Sequence, residues 1–209
     1  MIAVIELLVA TTNSGKFAEV QAFLSQLPIR IRSLRDLKDP PAVVEDGATF
    51  AANALKKART LADFSGLLTL ADDSGLEVDV LGGAPGIYSA RYCGYDGNDA
   101  ENNRKLLREL AGVAEAQRTG RFVCALALCA PRSSTMADWV AQDSCEGVIT
   151  DELRGCKGFG YDPLFFYVPF GKTFGEIARE VKATVSHRGK ALRKLTAALP
   201  ALVDLAGEP

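Results

Sequence analysis

The chain has 209 residues, 48% of them apolar and 24% charged, with a formal net charge of −2. That length suits one large domain or one bilobed domain, with a sizeable core, and the composition is that of a soluble globular protein. The near-neutral balance provides no global basic field, which argues against an extended nucleic-acid backbone as the main partner, although local Lys and Arg clusters can still hold a small anion.

In chain order, residues 2–10 read as a first strand. The stretch is apolar but short, carries Glu6 and lacks a basic leader region, so it reads as buried strand rather than as a membrane segment. "TTNSGKFAEVQAFLSQL" follows as a turn and then a helix, with Phe17, Val20, Phe23, Leu24 and Leu27 at helical spacing. "IRIRSL" alternates as a second strand. "EDGATFAANALKKARTLADFSG" turns at Asp46-Gly47 and starts a helix at Thr49. Its apolar face is Phe50, Ala54, Leu55, Ala58, Leu61 and Ala62, and Gly66 ends it.

"LLTLA" reads as a short buried strand that ends at the pair Asp72-Asp73, where "DSG" forms a turn. Neighbours in a continuing strand would point to opposite faces. "GNDAENNRKLLRELAGV" is an amphipathic helix ending near Gly112. "RFVCALALCAP" is a strong central strand, residues 133–137 a loop, and "WVAQDSCEGVIT" and "DPLFFYVP" further strands. "SHRGKALRKLTAALPALVDLA" closes the chain as a helix capped by Ser186. The alternation of strands and helices predicts an α/β fold. The strand run from Phe122 to Val168 predicts a mixed sheet. Five cysteines, Cys93, Cys124, Cys129, Cys145 and Cys156, odd in number and without a CxxC pair, fit a reduced cytoplasmic compartment.

Four groups of residues carry candidate chemistry. In "VATTNSGKFAE" a strand runs through a polar turn into a helix, whose backbone N–H groups and Lys16 suit an anion. It is not a P-loop, because Ala10 and Phe17 stand where that motif needs glycine and Ser or Thr. An ordinary turn with a solvated lysine is the competing interpretation. In "VVEDGATFAANALKKA", Glu45 and Asp46 precede a helix bearing Asn53, Lys56 and Lys57. A plain polar helix face competes there too. Asp72, Asp73 and Ser74 offer hard oxygen ligands suited to Mg²⁺, which keeps waters and is completed by substrate phosphates. An Asp beside such a metal can take a proton from water; a capped Asp-Ser-Gly turn is the alternative. Finally, "GCKGFGYDP" presents Phe159, Tyr161 and Asp162 on a glycine-rich loop. "KATVSHRGKAL" brings Lys182, the sole histidine His187, and Arg188. One histidine excludes a His-rich zinc site, and no G-x-S-x-G supports a serine hydrolase. Phosphate grips, a carboxylate site, an aromatic stacker and polar edge readers together describe a nucleoside triphosphate site.

The segments "TTNSGKFAE", "EDGATFAANALKKA", "ADDSGLEVDVLGGAPGIYSARY", "GFGYDP" and "SHRGKAL" occur in an order that resembles the inosine triphosphate pyrophosphatase family, whose bacterial members are the dITP/XTP pyrophosphatases. The resemblance runs from about Leu8 to Leu195. Residues 1–6 extend beyond it, as a start-site choice would produce. Thr12 stands where many relatives have glycine, a small change in the phosphate turn.

The resemblance implies one α/β domain over residues 1–209, elongated and two-lobed, with a central mixed sheet flanked by helices, the active site in the cleft, and a homodimer as the assembly. It implies Mg²⁺-dependent cleavage of ITP, dITP and XTP to monophosphate and pyrophosphate. Thr11, Thr12, Asn13, Ser14, Gly15 and Lys16 would hold the triphosphate, with Lys57 as a second grip. Asp73 would be the general base at the metal, with Glu45 and Asp72 near it. Ser74 would touch the nucleotide. Phe159 would stack on the purine within the Phe159-Gly160-Tyr161-Asp162 loop, Asp162 and Lys182 would fix it, and His187 and Arg188 would face the 6-oxo edge. Water would attack the α-phosphorus, with Lys16 and Lys57 offsetting charge on the leaving pyrophosphate. A donor such as Arg188 matches a 6-oxo group and mismatches the amino group of adenine, a difference of roughly ten- to a hundredfold. Guanine shares the 6-oxo group, so its rejection must come from the 2-position. Two other classes fit the residue types: a pyrophosphatase for other modified nucleotides, and a non-catalytic nucleotide-binding regulator.

Overall fold

The computed structural model describes residues 5–206. The expected first strand is found as β1 (Ile5–Ala10), and the part of that expectation on residues 2–4 lies outside the described residues. The chain continues through α1 (Ser14–Leu24), β2 (Ile29–Ser33), α2 (Phe50–Ser65), β3 (Leu68–Val78), α3 (Asp99–Glu109), β4 (Thr119–Cys129), β5 (Trp139–Ile149), β6 (Phe165–Tyr167), β7 (Lys172–Thr173), α4 (Arg179–Val185) and α5 (His187–Ala206). The strands form one mixed sheet in the order β2-β1-β3-β4-β5-β6-β7. β1 runs parallel to β2 and β3, whereas β5, β6 and β7 pair antiparallel. The sequence missed the two-residue β7 and the short α4.

The helices begin and end where side chains satisfy their free backbone groups. Asn13 Oδ1 accepts the Lys16 N–H at 3.0 Å and so caps α1. Thr49 Oγ1 caps α2 through the Ala52 N–H at 3.1 Å. Gly66, at φ +70°, closes that helix by donating to the Ala62 carbonyl. Asn98 caps α3 through the Glu101 N–H.

Contacts divide the chain into two compact units. The first comprises the residues up to Asp73, Cys124–Gln142, and those from Gly189 onward. Its core joins Leu7, Val9, Leu70 and Leu126 from the sheet to Val20 and Leu24 of α1 and Ala191, Leu192 and Leu195 of α5. The second comprises Ser74–Val123 and Asp143–Arg188. There Leu76, Val78, Phe122 and Ile149 pack with Leu106 and Leu110, and with Tyr161, Phe165 and Phe174.

One expectation fails. The strand does not end at the aspartate pair; β3 runs straight through it to Val78. Ser74-Gly75 resembles a turn in sequence but serves as strand here. Gly75 is buried against the helical turn Gly86–Arg91, where an added Cβ would collide with Ser89 Oγ and the Gly86 carbonyl. Ser89 Oγ accepts the Leu76 N–H at 2.8 Å, which ties that turn to the strand. Tertiary packing thus outweighs the local turn preference.

Candidate active site

Because β3 continues, Asp72 and Asp73 keep the opposite orientations of strand neighbours. Asp72 shares the face of Leu70, which packs against α1 and α5. It is 3% exposed; its Oδ1 pairs with Lys16 Nζ at 2.8 Å, and its Oδ2 accepts the Cys124 thiol at 3.3 Å. Lys57, on α2, donates to Glu45 Oε1 at 2.5 Å and to the Asp72 carbonyl at 2.8 Å. Glu45, Lys57, Asp72 and Lys16 therefore form one connected set in the first unit, with Asp73 beside it.

Asp73 is 6% exposed, and its Oδ2 has no hydrogen-bond partner among the described residues. Burial pushes its carboxyl above the ordinary range. Lys16 opposes that shift, Glu45 adds to it, and Lys57 and the Asn53 amide oppose it. Asn53 is fully buried. Its Oδ1 accepts the Gly47 N–H at 2.7 Å, while its Nδ2 makes no hydrogen bond among the described residues. The Asn53 amide is thus close enough to Asp73 to favour its charged form. Sequence spacing placed Asn53 on the side of Lys57 but gave no sign of this role.

Among the described residues no three or more His, Cys, Asp or Glu side chains come together as a metal cluster. Asp72 and Glu45 are each bound to a lysine. The donors still fit a hard divalent cation held by one or two carboxylates and completed by phosphate and water oxygens. Three carboxylates against two lysines leave the set net negative, which repels a polyphosphate unless a cation joins it. The idle, buried Asp73 oxygen is the group such a cation would engage.

Thr11, Thr12, Asn13, Ser14 and Gly15 form the turn between β1 and α1, and the first turn of that helix carries Lys16. Thr12, Asn13 and Ser14 are exposed. Asn13 has a structural duty that the sequence did not reveal: besides the cap, its N–H donates to Thr11 Oγ1 at 3.1 Å.

In the second unit, Lys182 Nζ binds Asp162 Oδ2 at 2.6 Å, with both side chains almost wholly buried. The same Asp162 oxygen accepts the Phe159 N–H at 2.9 Å. Gly158, at φ +76°, leaves room for that carboxylate, which an added Cβ would strike. Lys182 Nζ lies 4.9 Å and Arg188 Cζ 5.6 Å from the Phe159 ring centre, within cation–π range. Arg188, 1% exposed, donates to Ser74 Oγ at 2.7 Å. His187 stacks on Phe122, ring centres 4.7 Å apart. The Tyr161 hydroxyl donates to the Ser89 carbonyl at 2.9 Å. Gly160 is held through its backbone by Asp99 and Asn103 of α3. Phe159, Asp162, Lys182, Arg188 and Ser74 thus form one contact set. Tyr161 points into the core and His187 packs on an aromatic ring. Ser89, Asp99 and Asn103 were missed, because their signal is contact rather than motif.

Known proteins resemble this chain along most of its length. The family model for the Ham1 family matches residues 7–198. A dITP/XTP pyrophosphatase of Syntrophobacter fumaroxidans is 52% identical over 189 residues, covering 90% of this chain and 79% of that one. A dITP/XTP pyrophosphatase of Geobacter sulfurreducens is 51% identical, covering 90% and 94%. A solved HAM1 protein from Coxiella burnetii superposes with a TM-score of 0.84 at 38% identity, covering 94% of this chain and 99% of that one. Matched along most of its length at the level of sequence and of fold, the chain belongs to the Ham1 family.

Proposed function

We propose that this protein hydrolyses deaminated purine nucleoside triphosphates, ITP, dITP and XTP, to the monophosphate and pyrophosphate with Mg²⁺. The observation that carries the reading is Asp73: a buried carboxylate with an idle oxygen, set among Lys16, Lys57 and Glu45. Relatives about half identical over nine-tenths of the chain are dITP/XTP pyrophosphatases, which supports the substrate class.

The chain's residues divide the work. Lys16 and Lys57, together with the backbone N–H groups at the start of α1, bind the phosphates and offset the charge that develops on the leaving pyrophosphate. Asp73 takes a proton from the attacking water. Held by Asp73 with Glu45, Mg²⁺ would supply charge neutralisation and Lewis acidity at the phosphate oxygens, while Asp72, facing the other way and bound by Lys16 and Cys124, would position Lys16 instead. In the second unit, Phe159 offers a face for the purine, and Arg188 and Lys182 offer donors that suit a 6-oxo group. Adenine presents an amino group to the same donors, leaving them unmatched.

Purified protein is incubated with ITP, dITP, XTP, dATP and dGTP plus Mg²⁺, and pyrophosphate and monophosphate are measured. The 6-oxo logic predicts release from the deaminated nucleotides exceeding that from dATP by roughly ten- to a hundredfold in kcat/KM. No pyrophosphate from any of them sinks the reading, and preference for dATP sinks the 6-oxo logic. We further infer a cytoplasmic homodimer. The family resemblance supports the dimer, and five cysteines with no disulfide among them support the compartment. Among the described residues no helix is long and apolar enough to cross a membrane.

A further inference from the structure

We propose that Asp99 and Asn103, one turn apart on α3, are positioning residues that set the Phe159 loop in the shape that receives the purine. The proposal rests on the reading of Phe159 as the stacking platform. Asp99 Oδ2 accepts the Gly160 N–H at 2.7 Å, and Asn103 Nδ2 donates to the Gly160 carbonyl at 3.0 Å. Both polar backbone groups of one residue are therefore taken by side chains four positions apart, which share a helix face.

The loop needs such a hold. Phe159 lies between Gly158 at φ +76° and Gly160 at φ +62°, two left-handed glycines of high conformational freedom. Within the loop, Asp162 fixes the Phe159 N–H. The α3 clamp is a second, external hold on the next residue along. Its base is firm: Asn98 caps the helix, Leu106 is fully buried, and Asn102 accepts the Cys93 N–H and donates to the Ala90 carbonyl. Asn103 is 5% exposed, and its Oδ1 has no hydrogen-bond partner among the described residues. A buried amide with an idle acceptor costs the fold stability. Its donor end, on Gly160, is the part with visible work.

The test compares Asp99→Ala, Asp99→Asn, Asn103→Leu and Phe159→Ala. KM and kcat are measured for ITP, and the inhibition constant for inorganic tripolyphosphate, which has phosphates but no base. Loss of a charge-assisted hydrogen bond to the loop predicts an ITP KM about tenfold higher for Asp99→Ala. kcat and the tripolyphosphate constant stay as in the wild type. Asp99→Asn, which keeps an acceptor oxygen, restores KM. Asn103→Leu raises KM in the same way without lowering thermal stability, and it carries the test if Asp99→Ala fails to fold. If Phe159→Ala raises KM while Asp99→Ala and Asn103→Leu leave it unchanged, the clamp is refuted and the base-stacking reading stands. A parallel loss of tripolyphosphate binding shows general damage and also refutes the clamp. If Phe159→Ala leaves KM unchanged, the stacking reading itself falls and takes the proposal with it.

Discussion

Asp73 shows how one residue trades stability for chemistry. Its folded pKa lies above the unfolded value, chiefly through burial. The folded state therefore holds this proton more tightly than the unfolded chain. The associated stability is present below the ordinary carboxylate pKa and is lost as pH rises through the folded value. In chelator-treated protein at neutral pH, Asp73→Asn is expected to unfold later than the wild type, by about 1 kcal/mol. The gap closes in acid, where the carboxyl is protonated in both states. Turnover of ITP by the same variant is expected to collapse while the protein remains folded. Thermal melts across pH with a parallel pyrophosphate assay check both halves, and near-full turnover removes Asp73 as the base. The residue type and its neighbour were visible in "ADDSG". The idle oxygen was not, because it depends on which lysines each carboxylate meets.

At the scale of elements, caps and breakers were the legible features. Thr49 and Gly66 bound α2 as their residue types predict, and the apolar spacing of Phe50, Ala54, Ala58 and Leu61 marks the buried face. β3 is the instructive exception. Aspartate, serine and glycine are turn formers, yet all sit inside an eleven-residue strand. Gly75 is the reason: it lets the Gly86–Arg91 turn approach the strand closely enough for Ser89 to bond it. Gly75→Ala is expected to destabilise the protein by about 1–3 kcal/mol through overpacking. Urea unfolding measures this, and an unchanged midpoint contradicts the close-packing account.

For the whole molecule, composition predicted an ordinary globular protein, the alternation of strands and helices predicted the α/β class, and the strand run from Phe122 to Val168 predicted the mixed sheet that is observed. The proposed homodimer predicts a light-scattering mass twice the 22.3 kDa of the chain, independent of dilution through the micromolar range. A mass of one chain throughout contradicts it. Cys124, Cys129 and Cys145 are buried and form no disulfide. Cys129 is pushed up to about 12 by burial and by Asp138 beside it, so that thiol is inert at neutral pH.

Read alone, the sequence determined the class of fold, the positions of the main helices and strands, and the short segments whose residue types suit phosphates, a hard cation and a base. These are local properties, written in spacing and in the chemistry of neighbours along the chain. Only the tertiary structure decided that β3 passes through the aspartate pair, that Asp72 serves Lys16 while an Asp73 oxygen is left idle, and that α3 grips Gly160. Each of those outcomes depends on residues far apart in the chain competing for the same few polar groups, and spacing along a sequence carries no record of that competition.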